Sequence, residues 1–170
     1  MRKSYLSTLK TALMVAVVTV AGARAASAQT ATSSFAVTAN VVSKCTISSV
    51  ALSFGDYDPL VVNASTPLDA SSSVTVRCTK GASSNIGLDL GLSASGSTRR
   101  MSGGGDFLTY ELYKDASRTT VWGNSGTGLL NPGVSPSMAP RSISVYGRVP
   151  AAQDSTVAGY SDTITATITF

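Results

Sequence analysis

The sequence predicts an all-β sandwich, and three observations carry that prediction. Short runs alternate apolar and polar residues, the period of two that marks a strand with one buried face. Clusters of Gly, Ser, Asn, Asp and Pro separate these runs, as in sandwiches built from many short strands. Beyond Ala28 the chain is rich in Ser, Thr, Gly, Ala and Val, and helical periodicity is almost absent.

The first segment reads as a leader. Arg2, Lys3 and Lys10 give a positive start, Ala12 to Gly22 is apolar except for Thr19, and Ala26-Ser27-Ala28 is a small-x-small cleavage site. The apolar run is about half of the roughly 20 residues that a spanning helix needs. Cleavage is expected after Ala28, which makes residues 1–28 a secretory signal peptide and sends the protein to the periplasm. The full chain has 13 Lys+Arg against 9 Asp+Glu. Losing Arg2, Lys3, Lys10 and Arg24 leaves nine of each sign, so the high pI of the precursor gives no reason to expect nucleic acid or anionic lipid as partner. The remaining chain is one domain's worth and long enough to bury a core.

The strands follow in order. Phe35, Val37, Ala39 and Val41 share one face of the first, with Ala36, Thr38 and Asn40 on the other. Cys45–Ile47 and Ala51–Phe54 read as short strands, the second stopped by Gly55-Asp56-Tyr57-Asp58-Pro59. Ser73–Cys78 alternates cleanly. Ile86, Leu88 and Leu90 line the next strand, which Gly91 ends. Residues 96–105 read as a loop closed by three glycines. Phe107–Tyr113 puts Leu108, Tyr110 and Leu112 on its core face, and Trp122 packs at the end of a short strand. Residues 123–140 read as irregular. Ser142–Val149 turns Ile143 and Val145 inward, with Gly147 as a further inward position. The last strand, Thr163–Phe170, sets Ile164, Ala166, Ile168 and Phe170 against a face of four threonines, and the sequence stops within that pattern with nothing after it to pair.

Cys45 and Cys78 are the two cysteines, and in an oxidising compartment they are expected to form one disulfide. A metal site would need more ligands than two thiols, and there is no histidine. The same absence removes a Ser-His-Asp triad or a Cys-His pair, so neither a catalytic residue nor a cofactor is expected. Asp56 and Asp58 fall short of the six to eight oxygens that calcium takes. Gly103-Gly104-Gly105 lacks the lysine and helix start of a phosphate loop and reads as a flexible hairpin. Arg99, Arg100, Arg118 and Arg141 read as scattered surface charges. Tyr110, Tyr113 and Trp122 read as core residues in preference to a sugar-stacking platform, and Tyr146 and Tyr160 as buried rings with hydroxyls bonded to backbone.

An alternating strand ahead of the first cysteine and a final strand with an open edge fit two arrangements. Residues 35–41 could pair within their own sandwich, or they could enter a groove on a neighbouring copy and complete its ladder. Pattern alone leaves both open.

A resemblance shifts the balance. Its residues are Phe35-x-Val37-x-Ala39-x-Val41, Leu52-x-Phe54-Gly55-x-Tyr57-x-Pro59 and Val76-x-Cys78-Thr79-x-Gly81. Arg100-Met101, Leu108-x-Tyr110-x-Leu112-Tyr113-x-Asp115-Ala116 and Val145-Tyr146-Gly147-Arg148-Val149-Pro150 follow, then Gln153, Gly159-Tyr160, Asp162-Thr163 and Thr167-x-Thr169-Phe170. In their order and spacing these resemble the spore coat protein U family, which includes subunits of archaic chaperone–usher pili such as the Csu pilus. The resemblance implies an incomplete immunoglobulin-like β-sandwich completed by a donor strand from a neighbouring subunit. It implies residues 29–42 as the donor segment, with Phe35, Val37, Ala39 and Val41 inserted, and residues 43–170 as the pilin domain. The strand carrying Ile164, Ala166, Ile168 and Phe170 would border the groove. The implied partners are other copies or related pilins, a periplasmic chaperone and an outer-membrane usher, with no small-molecule substrate. The implied role is a structural subunit, at the shaft, of a cell-surface pilus for attachment and biofilm formation. A direct-binding tip adhesin is the weaker variant, because this chain has a candidate donor and one domain. The alternative is a spore-coat or envelope protein that folds as a self-contained sandwich.

Overall fold

A computed structural model describes residues 26–170, and the greater part of the expected signal peptide lies outside the described residues. The chain divides into a unit ending at Ala39 and a unit from Asn40 to Phe170. In the first, residues 26–39 carry no regular secondary structure and are exposed. The second holds seven strands: β1 (Cys45–Ser49), β2 (Leu68–Cys78), β3 (Asn85–Leu88), β4 (Arg99–Gly103), β5 (Asp106–Tyr113), β6 (Arg141–Val149) and β7 (Ala166–Thr169). Five form an antiparallel sheet in the order β1-β2-β6-β5-β4, and β3 pairs with β7 in a second sheet. Regular helix is limited to the 3₁₀ turn Gly126–Gly128 among the described residues.

Alternation decides which side chains form the core. β5 buries Leu108, Tyr110 and Leu112, β2 buries Val74 and Val76, and β6 buries Val145 and Val149. Ile86 and Leu88 of β3 close the other side, with Trp122 fully buried between. Trp122 satisfies its indole N–H on the Ile86 carbonyl at 3.0 Å, and its neighbour Val121 makes a single bridge to Tyr113. A buried ring bonded in this way is core and offers no sugar platform.

β1 is tied to β2 by the Cys45–Cys78 disulfide, at a position where the two cysteines face each other in the ladder. The bond spans 33 residues of sequence, which in the chain-entropy account is worth about 3–4 kcal/mol. Replacing both cysteines with serine is therefore expected to lower the thermal midpoint of the exported protein by on the order of 10 °C. Calorimetry of the oxidised protein against the variant checks this.

Three expectations are corrected. Residues 96–105 are not a loop, since β4 occupies Arg99–Gly103 and pairs with β5 from Arg99↔Tyr110 to Gly103↔Asp106. Gly104 and Gly105, at φ +59° and +81°, make the two-residue turn between them, whose tight twist requires positive φ at both positions. Gly103 is glycine for another reason, because a Cβ there would come within 2.2 Å of the Gly159 carbonyl oxygen. Second, Ala51–Phe54 keeps its alternation, with Leu52 and Phe54 half-buried, but forms no ladder. Among the described residues no strand lies alongside to supply one. Third, the final strand is shorter than its pattern: β7 covers Ala166–Thr169 where Thr163–Phe170 is expected, and it pairs with the earlier strand β3 from Ala166↔Leu88 to Thr169↔Asn85.

The arginines are not scattered surface charges. Arg99 is fully buried. Its guanidinium donates to the carbonyls of Leu88, Asp89 and Trp122 and pairs with Glu111. Arg118 bonds the Gly147 carbonyl and pairs with Asp69, and Arg141 bonds the Pro132 carbonyl and Ser135. Arg100 lies over the Phe107 ring, 3.9 Å from its centroid. Tyr160 bonds the Thr156 carbonyl as expected, whereas Tyr146 is half-buried with its ring 5.8 Å from the Arg118 guanidinium.

Candidate functional site

The sandwich is open along one side. A groove of about 860 Å³ runs between residues 49–59 and residues 155–166, and its floor is the core itself: Val74, Leu108, Tyr110, Leu112, Val145 and Val149. These side chains line the groove while each keeps no more than 6% of its surface exposed.

The first rim is placed by polar side chains at its two ends. At one, the Val50 N–H bonds the Ser73 carbonyl at 3.0 Å, and the Ser72 hydroxyl faces the carbonyls of Val50 and Ala51. At the other, the Tyr57 hydroxyl donates to the Pro150 carbonyl at 2.9 Å. Between them Leu52 and Phe54 lean over β6 at Gly147, where a Cβ would come within 2.8 Å of the Phe54 ring. The Phe54 ring meets Tyr110 edge to face at 6.1 Å. Asp58 ends the rim. Its carboxylate accepts the N–H groups of Leu60 and Val61 at 3.0 Å, and these bonds, that of Val61 foremost, hold its pKa below the usual range. Asp58 is therefore a turn cap, and no cluster of three or more potential metal-ligating side chains occurs among the described residues.

The second rim is pinned by side chains that imitate a neighbouring strand. The Gln153 amide accepts the Thr109 N–H at 2.7 Å and donates to the Thr109 carbonyl at 3.0 Å. Thr156 bonds Asp106, and Ser161 exchanges backbone bonds with Ser102. Asp162 accepts the N–H groups of Leu92 and Ser93 and the Tyr110 hydroxyl, the last at 2.7 Å. Burial first, and then this carboxylate, push the Tyr110 hydroxyl pKa well above the ordinary phenol value. Thr165 is fixed by Asp89, whose pKa stays low despite burial because it accepts the N–H groups of Thr165 and Gly91.

These anchors fix the directions of the rims. The first runs from Val50, beside Ser73, to Tyr57, beside Pro150. The second starts near that same end, where Ser155 bonds the Phe107 carbonyl, and finishes at Ala166 opposite Leu88. The rims thus run in opposite senses, and a strand laid between them would be parallel to one and antiparallel to the other.

Of the last-strand residues, Ile164 and Ala166 line the groove. Ile168 packs against the disulfide and Ala82, and Phe170 is 51% exposed. Phe35, Val37 and Val41 are 87%, 84% and 86% exposed, Ala39 is exposed as well, and no strand forms over them. Sequence reasoning missed most of the second rim, because Gln153, Thr156 and Asp162 act through side-chain bonds that leave no apolar period.

Comparison with known proteins adds three findings. Protein U of Myxococcus xanthus is 42% identical over 160 residues, covering 85% of this chain and 88% of Protein U. A crystal structure of a chaperone–tip adhesion subunit pre-assembly complex, from archaic chaperone–usher Csu pili of Acinetobacter baumannii, has a similar fold. The TM-score is 0.56 at 22% identity over 76% of this chain, which spans 40% of the length of the chain it matches. The signature of the Spore Coat Protein U domain matches residues 31–167, a span that holds the alternating segment, both cysteines and both rims of the groove, and the chain therefore belongs to that family.

Proposed function

We propose that this protein is a structural subunit of a secreted fibre of the pilus type, joined copy to copy by donor-strand exchange. The observation that carries the reading is the open groove of about 860 Å³ with the core as its floor. A strand inserted there would place alternate side chains on Leu108, Tyr110, Leu112 and Val145, while its backbone met the two rims. Residues 35–41 supply such a strand, with Phe35, Val37, Ala39 and Val41 as the inward set. Seven residues extend about 23 Å at strand rise.

The leader at residues 1–28 would take the chain to the periplasm. There a chaperone would cover the groove until an outer-membrane usher exchanges it for the segment of the next subunit, and the assembled fibre would stand on the cell surface in attachment and biofilm formation. The likeness to a subunit fold from a chaperone–subunit complex supports the chaperone as partner. A second reading, a spore-coat or envelope protein, is favoured by the identity with Protein U. It differs in one respect that can be measured, because a self-contained sandwich would fill its own groove.

Thermal unfolding of oxidised residues 42–170, with and without a peptide covering Ser33 to Ser43, separates the two. Peptide at about 100 times its Kd is expected to raise the midpoint by about 10 °C. A domain that is already stable and ignores the peptide would overturn donor exchange through this segment. A domain that folds only when the segment is restored covalently, as a monomer, would establish the envelope reading.

A further inference from the structure

We infer that Thr79 and the Cys45–Cys78 disulfide form a two-stage mechanical stop on the chain that leaves the sandwich at Val42. The threonine clip opens first under tension, and the disulfide bars further unravelling. The mechanical role rests on the donor-strand reading; the clip itself does not.

Between Val41 and the first residue of β1 lie Val42, Ser43 and Lys44, all exposed. No apolar burial holds them. Thr79 does, from the residue after Cys78. Its N–H donates to the Lys44 carbonyl at 2.9 Å. Its hydroxyl oxygen accepts the Lys44 N–H at 3.2 Å, and the hydroxyl proton faces the Val42 carbonyl at 3.2 Å and the Lys44 carbonyl at 3.4 Å. One side chain and one amide thus clamp the entire connection between the alternating segment and β1.

In a fibre joined through residues 35–41, all tension would pass through these three residues into Cys45. The Thr79 contacts are hydrogen bonds at an exposed site, so they yield before any covalent link. The load then reaches the first residue of β1, an edge strand of the five-stranded sheet. Pulling on the end of an edge strand opens its ladder bond by bond. Continued unzipping would free β1 and then Val50 and Ala51, which begin the first rim of the subunit's own groove. Cys45 is bonded to Cys78 at the point where unzipping would start. The disulfide therefore separates the load on a subunit's outgoing segment from the integrity of the groove that holds the next one.

The test has two arms on the full exported chain. Amide ¹⁵N relaxation of Ser43 and Lys44 is expected to give order parameters near the rigid-backbone value of about 0.85, falling below about 0.6 in Thr79→Val and returning in Thr79→Ser. Single-fibre stretching is expected to show about 17 Å of extra contour per subunit in the Cys45→Ser/Cys78→Ser fibre, the length of the five residues of β1. Amides already mobile in the unaltered protein would overturn the clip, and equal contour lengths in the two fibres would overturn the disulfide stop. Failure of the unaltered protein to form any fibre would sink the donor-strand reading and the mechanical role together, while the relaxation arm alone decides whether the clip exists.

Discussion

Replacing Arg99 with methionine is expected to destabilise the protein by about 3–5 kcal/mol. Methionine keeps much of the aliphatic volume, so little of the loss comes from packing. What is lost is the match between a fully buried guanidinium and four acceptors: the carbonyls of Leu88, Asp89 and Trp122 and the Glu111 carboxylate. Each acceptor stays behind, and a buried polar group without its partner costs far more than a made bond gains. The position also joins the two sheets, since Arg99 is on β4 while Leu88 ends β3. Arg99→Lys should recover only part of the loss, because an ammonium cannot reproduce the flat fork that reaches several acceptors at once. Adding Glu111→Gln to Arg99→Met should recover some stability by removing the charge left alone. Urea unfolding midpoints check the series, and a methionine variant within 1 kcal/mol of the parent would contradict it.

The other large effect concerns assembly. Val37→Asp or Val41→Asp is expected to reduce fibre yield at least tenfold and to leave export unchanged. Val37 and Val41 are exposed on their own chain, so a carboxylate there costs the free subunit little. In an apolar groove the same carboxylate must be desolvated or protonated, a cost of several kcal/mol, and each 1.4 kcal/mol is tenfold in an equilibrium. Slow dissociation of the wild-type joint would sharpen the contrast, because a fibre held by a high unfolding barrier outlasts its equilibrium affinity. Sedimentation of sheared surface material against periplasmic monomer measures both quantities, and parental fibre yield from either variant would refute the donor role.

The parts of this fold that were legible in the sequence are those where burial alternates along one strand. Leu108, Tyr110 and Leu112 announce their face because Thr109 and Glu111 between them are polar, and Val145 and Gly147 of β6 follow the same period. β4 was illegible for the opposite reason: in Arg99-Arg100-Met101-Ser102-Gly103 the fully buried side chain is an arginine. The hairpin reading of Gly103-Gly104-Gly105 holds the missing signal, since a two-residue turn ahead of an aromatic strand requires a second strand before it. Ala51–Phe54 failed differently. Its alternation matches the burial of Leu52 and Phe54, but a ladder depends on a neighbour, which a strand's own residues do not specify. The groove follows from the family resemblance alone, since pattern leaves residues 35–41 equally free to pair within their own sandwich, and its second rim is silent in both because polar side chains bonded to backbone hold that rim in place.

The groove and the segment that would fill it are different parts of one chain, and this bears on symmetry. When one copy lends its segment and the next receives it, the two surfaces in contact are not the same patch. Contacts of this kind are head-to-tail, and they either close into a ring or continue without limit. A fibre assembled this way would have two chemically different ends, one showing an open groove and the other a free segment. It would then lengthen in one direction only, if a single kind of end is presented to incoming copies.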